Sequence, residues 1–261
     1  MSTEAVQIAL ARLLVDPRLR QRWTTDPGGA LSEFPLTDRE VAMLAGIDAH
    51  RLAFTAGGIT RARSRTLKRM FATTLRRVGD ASIVDRIVTG FVDGDLPLEG
   101  RNDADKWVAE GKRFVAHLER LAEDGTVPST LAGLAQLEWL RADLRYSSAA
   151  AIAAAAAGTG PAPGPEAQLR LAAHVRVVEL RSDVLASAAG PPSAQAGTVH
   201  LALVRRHPDG RSDVFRLNSA AAELYHQCDG TRSVADLTDG DPDRQRQLTE
   251  AVRAGLLVSV R

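Results

Sequence analysis

Two spacings of apolar residues run along the chain. Up to about Tyr146 they recur every three to four positions, as on the buried face of a helix; beyond residue 166 they alternate, as on a strand. Val6, Leu10, Leu13 and Leu14 predict a first helix reaching Trp23, ended by Asp26-Pro27-Gly28-Gly29. Thr37 with Glu40 three residues on forms a capping box. It opens a segment carrying Val41, Leu44, Ile47 and Leu52 that Gly57-Gly58 is expected to close. A basic helix comes next, from Arg61 to Val78, with Leu67, Met70, Phe71 and Leu75 on its buried stripe. Asp80 caps a short helix through Ile83, Ile87 and Phe91, and Asn102 or Asp103 starts one carrying Trp107, Phe114 and Leu118. Pro128 suits the first turn of a final helix through Leu131, Leu134, Leu137, Leu140 and Leu144.

The stretch from Ala149 to Gly164 is almost all Ala, Gly and Pro. Gly158 to Pro165 must break any helix that the Ala run extends, so a domain boundary is placed there. His174 to Val184 then reads as a strand, 187–197 as a loop, and Val199–Val204 and Asp213–Leu217 as a hairpin turned at Pro208-Asp209-Gly210. Three short helices (219–228, 234–237, 243–254) and a strand at Leu256–Val260 complete the chain. Hairpin, three helices and strand make a winged helix-turn-helix. The expected fold is mainly α, α+β: a helical domain over 1–148, a linker over 149–166 and a winged helix-turn-helix domain over 167–261.

Composition narrows the chemistry. A net charge of +1 over 261 residues gives no bulk case for nucleic acid or membrane. The N-terminus lacks the features of a signal peptide, and the single cysteine, Cys228, excludes an internal disulfide; the expected location is the cytoplasm. The six histidines show no His-x-x-x-His or His-x-x-Glu pairing within a helix turn, and no metal site is expected. His117 with Glu110 and Glu119 comes nearest and reads as a solvated helix face. Cys228 ends a helix, where the dipole raises a thiol pKa, so it reads as packing. No phosphate loop, nucleophile elbow or carboxylate pair is present, and the chain is expected not to be an enzyme.

The sharpest motif runs Leu217-Asn218-Ser219-Ala220-Ala221-Ala222-Glu223-Leu224, then Cys228-Asp229-Gly230-Thr231-Arg232-Ser233-Val234-Ala235-Asp236-Leu237. Asn218 or Ser219 caps one helix, Gly230 turns the chain, and Ser233 caps the next with Asp236. Over 199–260 this resembles the pyrroloquinoline-quinone chaperone family, the peptide-recognition element of many peptide-modifying systems. The resemblance implies a leader peptide added as a strand along Asp213, Val214, Phe215, Arg216 and Leu217. A groove wall of Leu248, Ala251 and Val252 would lie beside it, with Arg244 or Arg253 for acidic leader residues. The plain alternative is that these are ordinary core and surface residues.

Leu10 to Leu14, Asp16-Pro17, Arg22-Trp23, Asp26-Pro27 and Leu36-Thr37-Asp38-Arg39-Glu40, with Leu131-Ala132-Gly133-Leu134-Ala135-Gln136-Leu137-Glu138-Trp139 further on, carry a second resemblance. They are similar to the partner-subunit family of the multinuclear non-haem iron enzymes of methanobactin- and thiaglutamate-type biosynthesis. That family implies iron in the partner enzyme and no cofactor in this chain, with a precursor leader peptide as the other partner. The long Ala/Gly/Pro insertion is a departure from it. Glu138 and Trp139 could dock on the enzyme, or Trp139 could be core. Arg65 and Arg69, in a basic run with no acid between Asp48 and Asp80, could face solvent, a partner or phosphates. Two rivals stay open. A DNA-binding regulator would use Arg244, Gln245, Arg246 and Gln247 on a recognition helix, with Asp239, Asp241 and Asp243 opposing it. The small subunit of an extradiol-type dioxygenase would account for only the first third.

Overall fold

The computed structural model describes residues 3–94, 103–156, 162–182, 196–206 and 209–260. Most are helical, with two small antiparallel sheets on the C-terminal side. The chain divides into two compact units, Met1–Glu99 and Gly100–Arg261.

The first unit holds α1 (Thr3–Val15), α2 (Pro17–Thr25), α3 (Pro27–Leu31), α4 (Asp38–Ala45), α5 (Ala49–Met70), α6 (Ala72–Val78) and α7 (Ala81–Gly94). The helix expected through Trp23 is cut at Asp16-Pro17. There the Asp16 carboxylate accepts from the Arg18 and Leu19 amides, and Pro17 takes the first helical position, where its missing N–H costs nothing. Asp26-Pro27 repeats the device for α3. Leu13, Leu19, Trp23, Leu31, Leu44 and Leu52 form the core between these helices. The capping box of Thr37 and Glu40 is present at the start of α4.

Gly57-Gly58 does not close a helix: α5 starts after the cap Asp48 and runs straight through both glycines. Two interior glycines cost a helix roughly 1 kcal/mol each against alanine. Inward packing of Leu52, Ala56 and Leu67 offsets that. Arg63, one of the basic run, is buried; it donates to the Val92 carbonyl at 2.8 Å and stands 5.9 Å from the Phe91 ring centre.

The second unit begins with α8 (Asp103–Glu123), α9 (Ser129–Tyr146) and α10 (Ser148–Ala156). The sequence pattern places the division of the chain in 149–166, but α9 and α10 pack on the strands beyond it. Leu134, Leu137, Leu140, Leu144 and Ala150 form one core with Val178, Leu180, Leu201 and Leu203 of the sheet. Residues 157–161, 183–195 and 207–208, which hold the expected helix break, most of the expected loop and the first turn residue, lie outside the described residues.

The strands are β1 (Gln168–Leu171), β2 (Val175–Ser182), β3 (Ala196–Arg205), β4 (Ser212–Leu217), β5 (Asp229–Ser233) and β6 (Leu257–Ser259). One sheet has the order β2-β3-β4, the other β5-β1-β6. The expected hairpin is the β3–β4 pair. The terminal strand β6 pairs with β1, an element the alternation pattern did not signal. Three helices come after the hairpin: α11 (Ser219–Gln227), α12 (Val234–Thr238) and α13 (Pro242–Arg253). Asn218 caps α11, and Ser233 with Asp236 forms a capping box on α12. Leu169, Leu224, Tyr225, Val234, Leu237, Leu248 and Leu257 make their core, joined from the first sheet by Val177 and Leu217. The β2-β3-β4 sheet is thus covered by α9 on one face and by the α11–α13 core on the other.

Arg205 ties these layers together. It is buried, and its Nη1 donates to the carbonyls of Leu144 and Arg145 in the last turn of α9 at 2.9 and 3.0 Å, and to that of Ser147, the residue capping α9, at 3.3 Å. Gly210 closes the hairpin with φ +82°, and a Cβ there would sit 2.7 Å from the Arg145 side chain. We expect Arg205→Met to lower the free energy of unfolding by roughly 2 kcal/mol, because buried carbonyls lose a charged donor. Leu144→Ala should cost roughly 3 kcal/mol by opening a cavity. Equilibrium urea unfolding checks both.

Candidate functional site

In the β2-β3-β4 sheet, β4 is an edge strand: β3 pairs it on one side, and no described strand pairs it on the other. The ladder fixes which of its backbone groups face outward. The Arg205 N–H donates to the His174 carbonyl, so odd-numbered residues of β3 direct their hydrogen bonds to β2. Even-numbered residues (His200, Ala202, Val204) therefore serve β4, and their partners there are Leu217, Phe215 and Asp213. Val214 and Arg216 consequently turn their N–H and C=O groups away from the sheet, the template on which another extended chain can pair.

The side chains obey the same alternation. Val214 packs against the α9 core. Leu217 packs into the α11–α13 core, on the face it shares with Phe215 and Asp213. Phe215 is 42% exposed, with the Arg206 guanidinium 5.4 Å from its ring centre. Arg216 is exposed on the opposite face. The edge thus offers outward backbone groups, one exposed aromatic ring, and cations on or beside it.

The expected groove wall is placed differently. Leu248, Ala251 and Val252 are buried at 0, 2 and 7% exposure, packed inward with Leu224, Tyr225 and Leu237. These apolar positions of α13 are the inward stripe of an amphipathic helix, so they support the fold beneath its surface. The outward face of α13 carries Arg244, Arg246, Glu250 and Arg253. Arg244 lies 3.7 Å from Asp241 and Arg246 2.8 Å from Asp243.

Trp139 is half-buried; its indole N–H donates to the Val108 carbonyl at 2.9 Å, and Lys112 stands over its ring at 5.8 Å. It locks α9 to α8, which agrees with the packing alternative. Glu138 is half-buried beside it. Arg65 and Arg69 are exposed on α5, in the other unit. Glu110, expected on a solvated face, is buried at 1% exposure.

Among the described residues no three His, Cys, Asp or Glu side chains gather as metal ligands would, and no helix is long and apolar enough to cross a membrane. Cys228 is buried with its thiol donating to the Leu224 carbonyl at 3.3 Å; burial, and secondarily Asp229, pushes its pKa up to about 11. No protein-family model matches the chain, and no curated protein matches its sequence.

His174, just before β2, is buried with Nδ1 lacking a partner; burial, then the charge of Arg206, lowers its pKa. The unfolded chain therefore binds a proton that the folded chain resists. That penalty is absent above the ordinary histidine value and grows as pH falls below it. Thermal melts should show stability dropping between pH 7 and pH 5.5, less steeply in His174→Gln. Iodoacetamide should alkylate folded Cys228 at least a hundredfold more slowly than in urea at pH 8, where roughly one thiol in a thousand would be ionised in the folded chain.

Proposed function

We propose that this chain is a non-catalytic partner protein that holds an extended peptide along β4. The peptide is the leader of a ribosomally made natural-product precursor, presented to an iron-dependent oxidative enzyme. The observation that carries the reading is the outward pair of backbone positions at Val214 and Arg216 on an edge strand. Support comes also from the order of elements around that edge: a hairpin, three short capped helices and a closing strand, the order of a winged-helix recognition domain. A strand laid beside β4 gains backbone bonds whatever its sequence, and draws specificity from contacts at Phe215 and Arg216.

The role is positional. Holding the leader converts an encounter between enzyme and precursor into a local event, raising effective concentration without any new chemistry in this chain. The iron belongs to the partner enzyme, and the helical unit supplies the surface that docks on it. The DNA-binding reading draws on the outward cations of α13, but Arg244 and Arg246 stand beside Asp241 and Asp243, so a phosphate would have to displace carboxylates.

The test is fluorescence anisotropy with a labelled leader peptide of a candidate precursor. Val214→Pro removes an outward donor and spares the β3–β4 ladder, which Val214 does not serve. Affinity should fall at least tenfold, roughly the worth of one or two backbone bonds, whereas Val214→Ala, which loses packing on α9 but keeps the outward donor, should bind as the unaltered chain does. Unchanged affinity excludes strand addition at β4.

A further inference from the structure

We infer that the exposed face of α5 is a docking surface for an acidic amphipathic helix of a protein partner. The inference deepens the partner-docking half of the function proposed above and is independent of the peptide edge. Arg51, Phe54, Gly58, Arg61, Arg65 and Arg69 are spaced three or four apart, so they form one row along the helix, about 27 Å long at 1.5 Å per residue. All six are exposed or half-exposed, Phe54 at 72%. No Asp or Glu occurs between Asp48 and Asp80. Two other cations of this helix are already used: Lys68 bonds Asp85 at 2.6 Å, and Arg63 is buried on the Val92 carbonyl. No described carboxylate pairs with the four arginines of the row.

Gly58 is the second, independent observation. A Cβ built there meets nothing within 4 Å, so none of the described residues requires glycine at a helix-interior position that alanine would stabilise. Its effect is a bare notch between Phe54 and Arg61. Helix axes approach according to the bulk of the side chains between them, and a glycine lets a second helix come close. A row one residue wide, with an aromatic anchor and a notch, suits a helix carrying carboxylates at matching spacing. Phosphates would draw on the arginines alone.

The test uses the full chain and a labelled helical peptide of about 20 residues with Glu along one face and Leu beside it. A Gln-for-Glu version and a mixed-sequence DNA duplex of similar length serve as comparison probes. At about 50 mM salt, where surface charges are weakly screened, the acidic peptide should bind more tightly than either. Arg61→Glu with Arg65→Glu should weaken it at least tenfold, and Gly58→Leu severalfold, with α-helical circular dichroism and melting preserved. Val214→Pro should leave this binding unchanged, which separates a failure here from a failure of the peptide edge. Equal binding of the Gln peptide, tighter binding of the duplex, or unchanged affinity in either α5 variant overturns the proposal.

Discussion

The single guanidinium of Arg205 makes an open strand edge sustainable. As the outer strand of a three-stranded sheet, β4 has a neighbour on one side only among the described strands and depends on how the hairpin is anchored. Arg205 leaves the inner strand beside β4 and reaches the last carbonyls of α9, while Gly210 lets the hairpin tip lie against Arg145. Leu201, Leu203 and Val214 then pack on the leucines of α9. The hairpin is held from below and at its end, so its outer strand need not be paired to stay in place.

The same constraint accounts for the composition of the second unit. A helix that caps onto a strand must bring its own hydrophobic stripe to the sheet, and α9 does so with Leu134, Leu137 and Leu144. The Ala-rich segment after it continues as α10, with Ala150 buried beside Leu144 rather than leaving the unit as a linker. The helical unit of α1–α7 builds a separate core, and the proposed docking row lies on its α5.

Much of this was legible in sequence because local chemistry decided it. The caps at Thr37, Asn218 and Ser233 need only a side chain and amides two or three residues away, and all three formed. The strands β2, β3, β4 and β6 announced themselves by alternation. The features that escaped depended on partners distant in sequence. Asp229–Ser233 contains no apolar residue, yet it pairs with β1 some sixty residues earlier. Gly57-Gly58 reads as a stop until Leu52, Ala56 and Leu67 are seen packed on one face. At the candidate site, the strand and its turn at Gly210 were legible and the anchor Arg205 was not, since an arginine inside a strand gives no sign that it will cap a helix. Leu248, Ala251 and Val252 looked like a groove because apolar spacing marks an inward stripe and a binding stripe alike.

The central claim is that the outer ladder of β4 is open in the free protein. Residue-resolved amide hydrogen exchange tests it directly, by comparing neighbours on one strand. The Val214 amide should exchange roughly a hundredfold faster than that of Phe215, which bonds Ala202 across the ladder. Slow exchange at Val214 matching Phe215 would mean that the chain's own polypeptide already covers this edge, and the account would fail.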